Sequence, residues 1–441
     1  MDENFIKENS SVIKKTDKAF YNPAQEINRD ISVMAINAFL ELSKFKESNL
    51  CIFECMSATG LRGIRYAKEI TPKCTIFMND IDRDAVDTIK DNLRINEIEF
   101  NAVNDHRNRC LIEKLEESTG ERQYGSSCAK RGDLNRVLLL NSDCNAIMAN
   151  NNLFFHVIDV DPFGHFTKNL PFVFKSIKGN GLVCLTATDT AVLCTNRSKC
   201  ARKYDVLIRK VPYYGEMALR AALSTAARVA ALYDCGIVPL LSLSVDFYVR
   251  LFVRVERRTS AVKASLSECA HYFVCGCGYM IEYGTKSTEI SLLCPICHGK
   301  LLLCGPLWKG KLKNPEFLDK LNNRTESKRI TEILRLIEQE NDCFGFYHIP
   351  TVCSLLKKEC IPMVKLVSEL LNRGNMVSFT HCRANSIKSD CSYHELVEII
   401  RSYFENKDFI VENRLAIEIC GKKYNREVVH DNMGPLSKPH K

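Results

Sequence analysis

The sequence predicts an α/β fold: a mostly parallel sheet covered by helices, then a smaller C-terminal α+β region built around a cysteine cluster. Three observations predict it. From about residue 25 to 255, short apolar runs alternate with stretches of helical periodicity. Five of the runs close on an acidic residue: Glu54, Asp80, Asp143, Asp161 and Asp189. Further on, Cys275, Cys277, Cys294 and Cys297 fall in two close pairs.

The elements follow in order. Ala24 to Leu42 reads as a helix with Ile27, Ile31, Met34 and Ala38 on one face, and Pro23 near its first turn, where a missing N–H costs nothing. "LCIFEC" (Leu50–Cys55) is the first strand of the sheet, followed by "MSATGLRGIRYAKEI". "CTIFMND" (Cys74–Asp80) is the second, with the helix "RDAVDTIKDNLRIN" after it. "VLLLNSD" (Val137–Asp143), "FFHVIDVD" (Phe154–Asp161) and "GLVCLTATD" (Gly181–Asp189) are the third, fourth and fifth. A long helix from about Tyr214 to Cys235 precedes the β-rich "IVPLLSLSVDFYVRLFVRV". The polar segment of about residues 101–135 lacks periodicity and reads as an insertion loop.

A chain of 441 residues accommodates two or three domains, here placed at 1–262 and 263–441. Hydrophobic residues (46%) and charged residues (26%) are in ordinary globular proportion. The net charge of +8 suits a polyanionic partner better than a basic one. The N-terminus "MDENFIKENSSVIKK" has no apolar core of a secretory signal, so the 22 cysteines read as reduced thiols, a few of them metal ligands, in a protein of the nucleus or cytoplasm. No apolar run reaches membrane-spanning length, so no membrane partner is expected. A monomer is expected.

In a parallel sheet, ligands sit beyond the C-terminal strand ends. One aspartate there is commonly a helix cap; five carboxyls in register argue for a ligand. The turn "SATGLRG" after the first strand is not GxGxxG, and no phosphate-binding lysine motif is present. Ser57, Ala58 and Gly60 still allow close approach to the backbone. Asp80 is placed to accept from both hydroxyls of a ribose, and Asp143 lies near where a base would rest. A nucleoside without a diphosphate fits, and S-adenosylmethionine is one. The expected fold is therefore a Rossmann-like S-adenosylmethionine-dependent methyltransferase.

The stretch "DVDPFG" sharpens this. An exocyclic amine on a base is a poor nucleophile, because its lone pair is delocalised. A fixed carboxylate accepting its N–H helps localise that pair and remove the proton. Asp161 is the candidate, and Phe163 offers a face for stacking a base taken out of its helix. The plainer alternative is a helix-capping Asp161 and a core Phe163. Asp159 points into the strand or pairs with a neighbour.

At these motifs the sequence resembles the tRNA guanine-N2 dimethyltransferase family, which methylates the exocyclic amine of guanosine at tRNA position 26. The matching stretches run in order from about residue 18 to 308: "KAFYNPAQEINRDIS", "ECMSATGLRGIRYAKEI", "MNDIDRDAV", "DVDPFG", "TATDTAVLC", "EMALR", "SVDFYVRLFVRV" and "GPLW", with a looser one in "HCRANSIKSD". The resemblance implies that Arg29, Arg62, Asp80 and Asp143 contact S-adenosylmethionine, that Cys144 lies beside the adenine through its backbone, and that Asp161 holds the guanine amine. It leaves Arg65 undecided between a cofactor contact and an ion pair. Gly215 precedes Glu216 where the family usually has His. Two other functions fit the same motifs: methylation of another RNA exocyclic amine, and a non-catalytic zinc-containing RNA-binding protein. The presence of both Asp80 and Asp161 speaks against the second.

"RRTSAVKASLSECA" (Arg257–Ala270) reads as a linker. In "FVCGCGYM" and "LLCPICHGK", four thiolates from Cys275, Cys277, Cys294 and Cys297 suit a closed, structural Zn2+ site. The first pair is Cys-x-Cys where the family usually has Cys-x2-Cys. Cys269, His298 and Cys304 are reserve ligands. Beyond Trp308, "SKRITEILRLIEQEN", "IPTVCSLLKKE" and "PMVKLVSELLNRGN" read as helices, then strand-like "MVSFTH" and basic "CRANSIKSD". This predicts a winged-helix-like module gripping the tRNA backbone through Lys and Arg, followed by a basic tail from Cys420.

Overall fold

The computed structural model of the protein describes residues 4–17, 19–43, 45, 50–103, 135–284, 291–322, 324–325, 327–405 and 413–421. The chain divides into two compact units. The first comprises Met1–Thr186, Val229–Val238 and Phe252–Lys263; the second comprises Ala187–Arg228, Pro239–Leu251 and Ala264–Lys441.

The first unit opens with an antiparallel hairpin of β1 (Phe5–Glu8) and β2 (Ser11–Lys14), in register Phe5↔Lys14, with Asn9 at φ 48° in its turn. A turn of 3-10 helix, Pro23–Gln25, leads into the helix Glu26–Leu42. The main sheet follows: β3 (Leu50–Glu54), β4 (Cys74–Asp80), β5 (Phe100–Val103), β6 (Arg136–Asn141), β7 (Phe155–Val160), β8 (Ile177–Ala187), β9 (Gly236–Val245) and β10 (Tyr248–Glu256), of which Pro239–Val245 and Tyr248–Leu251 are counted with the second unit. Its spatial order is β5-β6-β4-β3-β7-β8-β10-β9. The strands from β5 to β8 are parallel.

From β3 the chain steps outward to β4 and β6, then returns to the other side of β3 as β7. This reversal opens a crevice beyond the C-terminal ends of β3 and β7. There Glu54 sits level with Asp159. Every residue of β3 and β7 is buried, as expected for strands covered on both faces. Phe53 stacks on Phe155 at 4.7 Å, and Phe77 meets Phe155 edge-on at 5.5 Å.

Three expectations need correction here. The polar insertion starts later than expected, because Phe100–Val103 adds to the sheet edge beside β6 (Phe100↔Val137); residues 104–134 lie outside the described residues. The supposed linker holds a helix, Thr259–Ser267, since Ala261, Ala264 and Leu266 favour helix more than their small, polar neighbours oppose it. The long helix runs Tyr214–Ala231, and a turn replaces its expected last residues.

In the second unit β11 (Cys269–Val274), β12 (Met280–Glu282) and β13 (Leu302–Trp308) form a three-stranded sheet with β11 central. The helix Lys328–Gln339 precedes β14 (Tyr347–His348), the helices Ile349–Leu355 and Met363–Asn372, and the antiparallel pair β15 (Val377–Phe379) and β16 (Ser386–Ser389). Helix, strand, two helices and a hairpin is the succession of a winged helix. Ile349, Val352, Leu366, Leu370, Ile387 and Leu396 belong to its core. The helices Tyr393–Glu405 and Arg414–Gly421 follow. The expected basic tail lies outside the described residues from 422 onward. Among the described residues no helix is long and apolar enough to cross a membrane.

Candidate functional site

The turn after β3 is fixed by backbone and carboxylate bonds. Asn79 donates to the carbonyls of Cys55 and Ser142, both at 3.0 Å, tying the mouths of β3, β4 and β6 together. The Ser57 N–H donates to the Asn79 carbonyl at 2.8 Å. Ala58 (φ 46°) and Gly60 (φ 79°) adopt left-handed conformations. The Ala58 N–H donates to Asp80 Oδ2 at 2.8 Å, and the Asp82 N–H donates to Asp80 Oδ1 at 3.0 Å. Asp80 therefore holds the turn, and each of its oxygens keeps a lone pair for a further donor. A Cβ on Gly63 would lie 2.5 Å from Glu54 Oε2 and 2.7 Å from Met78 Cγ, so a larger residue there would push both side chains aside. Glu54 accepts from Ser57 Oγ at 2.6 Å. Burial pushes its carboxyl up to about 8, against the opposing effects of Ser57 and Arg62.

Asp143 is exposed and caps the helix Cys144–Asn150 by accepting the Asn145 N–H at 2.9 Å, which leaves its second oxygen outside the cap. Cys144 is buried, with Asn169 Nδ2 at 3.6 Å from its sulfur. Asp189 belongs to the second unit, where Tyr204 and Lys203 donate to it at 2.5 and 2.9 Å. Four of the five strand-end carboxyls thus gather in the first unit.

At the mouth of β7, Asp159 is buried and accepts from the Tyr66 hydroxyl at 2.5 Å. Asp161 is half-buried and ion-paired with Arg62. It caps no helix, since the next one begins only at Leu170. Arg62 is buried. Its Nη1 donates to Ser32 Oγ at 2.9 Å and to Asn28 Oδ1 at 3.4 Å, and lies 3.6 Å from Asp159. Burial would lower its pKa, but the carboxylates of Asp161 and Asp159 outweigh burial and hold it well above its usual value. Phe163 is not a core residue: it is 81% exposed. It meets Phe20, itself 58% exposed, edge-on at 5.1 Å. Two exposed rings therefore meet at Phe163, two positions past Asp161 in the chain.

Arg29 is buried and gripped by Glu8 through Nε at 2.7 Å and Nη2 at 2.5 Å. Arg65 is no surface ion pair either: it reaches Glu8 (2.8 Å), Asp30 (2.6 Å) and Glu69 (3.0 Å). Burial would raise the Glu8 carboxyl, yet the two guanidiniums hold it below the usual range. Sequence reasoning missed Glu8, Phe20 and Ser32. The hairpin carrying Glu8 had a signal, two four-residue runs flanking Asn9-Ser10; Phe20 and Ser32 had none beyond lying in a quoted motif.

In the second unit the sulfurs of Cys275, Cys277, Cys294 and Cys297 lie within 4.8 Å of one another, at 3.3 Å for Cys275–Cys297 and 3.7 Å for Cys277–Cys294. A tetrahedron with metal–sulfur bonds of about 2.3 Å needs edges of roughly 3.8 Å, so these four could hold one ion. The Ile296 N–H points at the Cys294 sulfur at 3.4 Å. Cys269, His298 and Cys304 lie outside the group.

Glu216 is buried in a charge network, not at a reactive mouth. It pairs with Arg220 (2.7 Å) and Lys388 (3.0 Å) and accepts the Gly345 N–H at 2.8 Å. Lys388 also faces Glu340 at 3.6 Å, and Glu340 accepts from His381 at 2.6 Å. This corrects the expectation for the basic "CRANSIKSD": Lys388 is 2% exposed, and its charge is spent inside the unit. Burial would raise the Glu340 carboxyl, but His381 and Lys388 bring it down to about 2. Burial would lower His381, but Cys382 and Glu340 raise it to about 10. The Ser244 N–H donates to His381 Nε2 at 3.2 Å, a bond that only the neutral ring accepts, so the geometry opposes that upward shift. The Glu340 contribution is complete above 4.5 and is lost as pH falls toward 2. Thermal melts of the full chain are expected to show stability falling as pH drops from 4.5 toward 2, with a shallower fall in Glu340→Gln; an unchanged slope in that variant would contradict the network's role.

A family model described as "N2,N2-dimethylguanosine tRNA methyltransferase" matches residues 2–119 and 126–401. The chain belongs to that family. Relatives in this dimethyltransferase family include the "tRNA (guanine(26)-N(2))-dimethyltransferase" of Schizosaccharomyces pombe, 29% identical over 99% of this chain and 92% of its own length. The protein of the same description from Pyrococcus abyssi is 30% identical over 87% of this chain and 93% of its own length. A solved structure described as a complex of Trm1 from Pyrococcus horikoshii with S-adenosyl-L-methionine is 27% identical, with a TM-score of 0.72 over 90% of this chain and 99% of that one. The fold of this dimethyltransferase-family chain is accordingly Rossmann-like, of the methyltransferase type.

Proposed function

We infer that the protein transfers methyl groups from S-adenosylmethionine to the exocyclic N2 amine of guanosine 26 in tRNA, giving N2-methyl- and N2,N2-dimethylguanosine. The observation that carries this is the Asp161 carboxylate at the strand crossover, capping no helix and followed two positions on by the exposed ring of Phe163, which meets Phe20. The donor fits the residues present: carboxylates at the mouths of β4 and β6 suit hydroxyl and amine donors, and a buried guanidinium suits a carboxylate. Bound S-adenosylmethionine supplies an electrophilic methyl group. Asp80 and Asp143 would hold its ribose and base side, Cys144 would line the adenine through its backbone, and Arg62, with Arg29 held in place by Glu8, would take the methionine end. Asp161 accepts an N–H of the guanine amine and later its proton, while Phe163 stacks the base.

The methyl transfer belongs to residues 1–262 and the grip on tRNA to residues 263–441. Cys275, Cys277, Cys294 and Cys297 hold a structural Zn2+ that fixes the second unit. Transfer of labelled methyl to a tRNA transcript tests the target: label is expected with guanosine at position 26 and not with adenosine there, and equal labelling of both would refute the assignment.

Asp80→Ala removes the ribose acceptor and the anchor of the Ala58 N–H together. Charge-assisted bonds contribute about 1.5–3 kcal/mol each, so calorimetry is expected to find S-adenosylmethionine bound at least about tenfold more weakly. Unchanged affinity in the folded variant would place the ribose elsewhere.

A further inference from the structure

The Asp161 carboxylate is paired with a cation that has a second claimant. Arg62 cannot swing out to water: it is buried, and Ser32 and Asn28 on the helix Glu26–Leu42 hold its Nη1 while Asp159 flanks it. Its Nη2 is directed at Asp161. A donor carboxylate that reaches this guanidinium therefore meets Asp161 on the same side of the same cation. Two carboxylates converging on one fork in a part-buried site repel each other and divide its donors.

We propose that Arg62 is a positioning residue shared between Asp161 and the methionine carboxylate of the donor, so that donor binding loosens the Arg62–Asp161 pair and turns Asp161 toward the guanine amine. This rests on the function proposed above, in particular on Arg62 facing the methionine end. The chemistry is direct. A carboxylate held by a guanidinium has its charge neutralised and at least one lone pair engaged, which makes it a weak acceptor for a neutral amine. When a second anion takes up the Nη2 donor of the fixed guanidinium, Asp161 turns away and that lone pair becomes available to the amine N–H. Coupling of this kind is reciprocal: whatever the donor does to Asp161, the charge of Asp161 does to donor affinity. It would also order the reaction, the base meeting a competent acceptor once the donor is in place.

The test uses the full chain and two ligands in calorimetry: S-adenosylmethionine, and 5′-methylthioadenosine, which keeps the nucleoside and lacks the amino-acid portion. Asp161→Asn keeps the shape and removes the competing charge. It is expected to bind S-adenosylmethionine about tenfold more tightly, within the usual range for coupled sites, and 5′-methylthioadenosine within about twofold of the unsubstituted protein. Arg62→Gln is expected to weaken S-adenosylmethionine about tenfold or more and to leave 5′-methylthioadenosine little changed. If Arg62→Gln does not fold, Arg62→Lys, which keeps the charge but loses the fork, gives the same comparison. Unchanged or weaker S-adenosylmethionine binding in Asp161→Asn, with Arg62→Gln still selective against the amino-acid portion, overturns the sharing and leaves the cofactor assignment standing. Arg62 variants that bind both ligands normally overturn the cofactor contact itself, and the sharing with it.

Discussion

Asp161→Asn is expected to slow single-turnover methylation of a tRNA transcript by about 100- to 1000-fold at saturating donor, the usual cost of removing a group that meets charge in a transition state. The amine nitrogen gains positive charge as it attacks, and a carboxylate fixed beside it is stabilising then and much less so before. Asparagine keeps the shape and one acceptor but not the charge. A capping residue would behave otherwise, losing at most about 1 kcal/mol of stability with near-normal turnover. The structure already removes the helix that such a cap would serve, because the chain turns irregularly from Pro162 to Asn169 before the helix Leu170–Ser176. Thermal melts beside the rate measurement separate a chemical defect from unfolding. A stable variant within about threefold of the unsubstituted rate would make Asp161 a bystander.

Replacing Cys294 and Cys297 together by serine is expected to abolish a zinc content of about one ion per chain and to destabilise the second unit strongly. Zinc binding in small cysteine modules contributes roughly 10–16 kcal/mol of apparent free energy that is also folding free energy, well above the effect of any single side chain. Here β11 and β12 bring Cys275 and Cys277 to the cluster, and the Tyr393 hydroxyl donates to the Cys277 carbonyl at 3.0 Å, so loss of the ion would propagate to the helix Tyr393–Glu405. Metal analysis and a thermal melt of the double variant check both parts. Full zinc occupancy without those two sulfurs would refute the ligand set.

What the sequence made legible follows the range of the interactions. The strands of the parallel sheet read clearly because burial on both faces leaves continuous apolar runs, and the strand ends read clearly because their carboxyls stop those runs. Asp80, Asp143 and Asp161 were visible for that reason. Their partners were not. Arg62 meets Asp161 across 99 positions and Arg29 meets Glu8 across 21, and no local pattern reports such pairs. Charge misled in the same way. Lys388 helped make "CRANSIKSD" read as basic, and only the fold places Glu216 and Glu340 against it. Phe163 shows the converse: the turn residues around it already suggested an open stacking face, and its exposure bears that out, whereas its edge-on partner Phe20, 143 positions earlier, carried no such signal. Phe100–Val103 was lost in a polar segment because an edge strand of four residues carries too little periodicity to register.

The central claim is that the transferred methyl group goes to guanine N2. Mass spectrometry of nucleosides digested from an unmodified tRNA transcript, after incubation with protein and S-adenosylmethionine, tests it most directly. N2-methylguanosine and N2,N2-dimethylguanosine are expected, both lost when Asp161→Asn replaces the unsubstituted protein. Methylation at guanine N1 or on another base, or no methylated nucleoside from a folded, donor-binding protein, would contradict it.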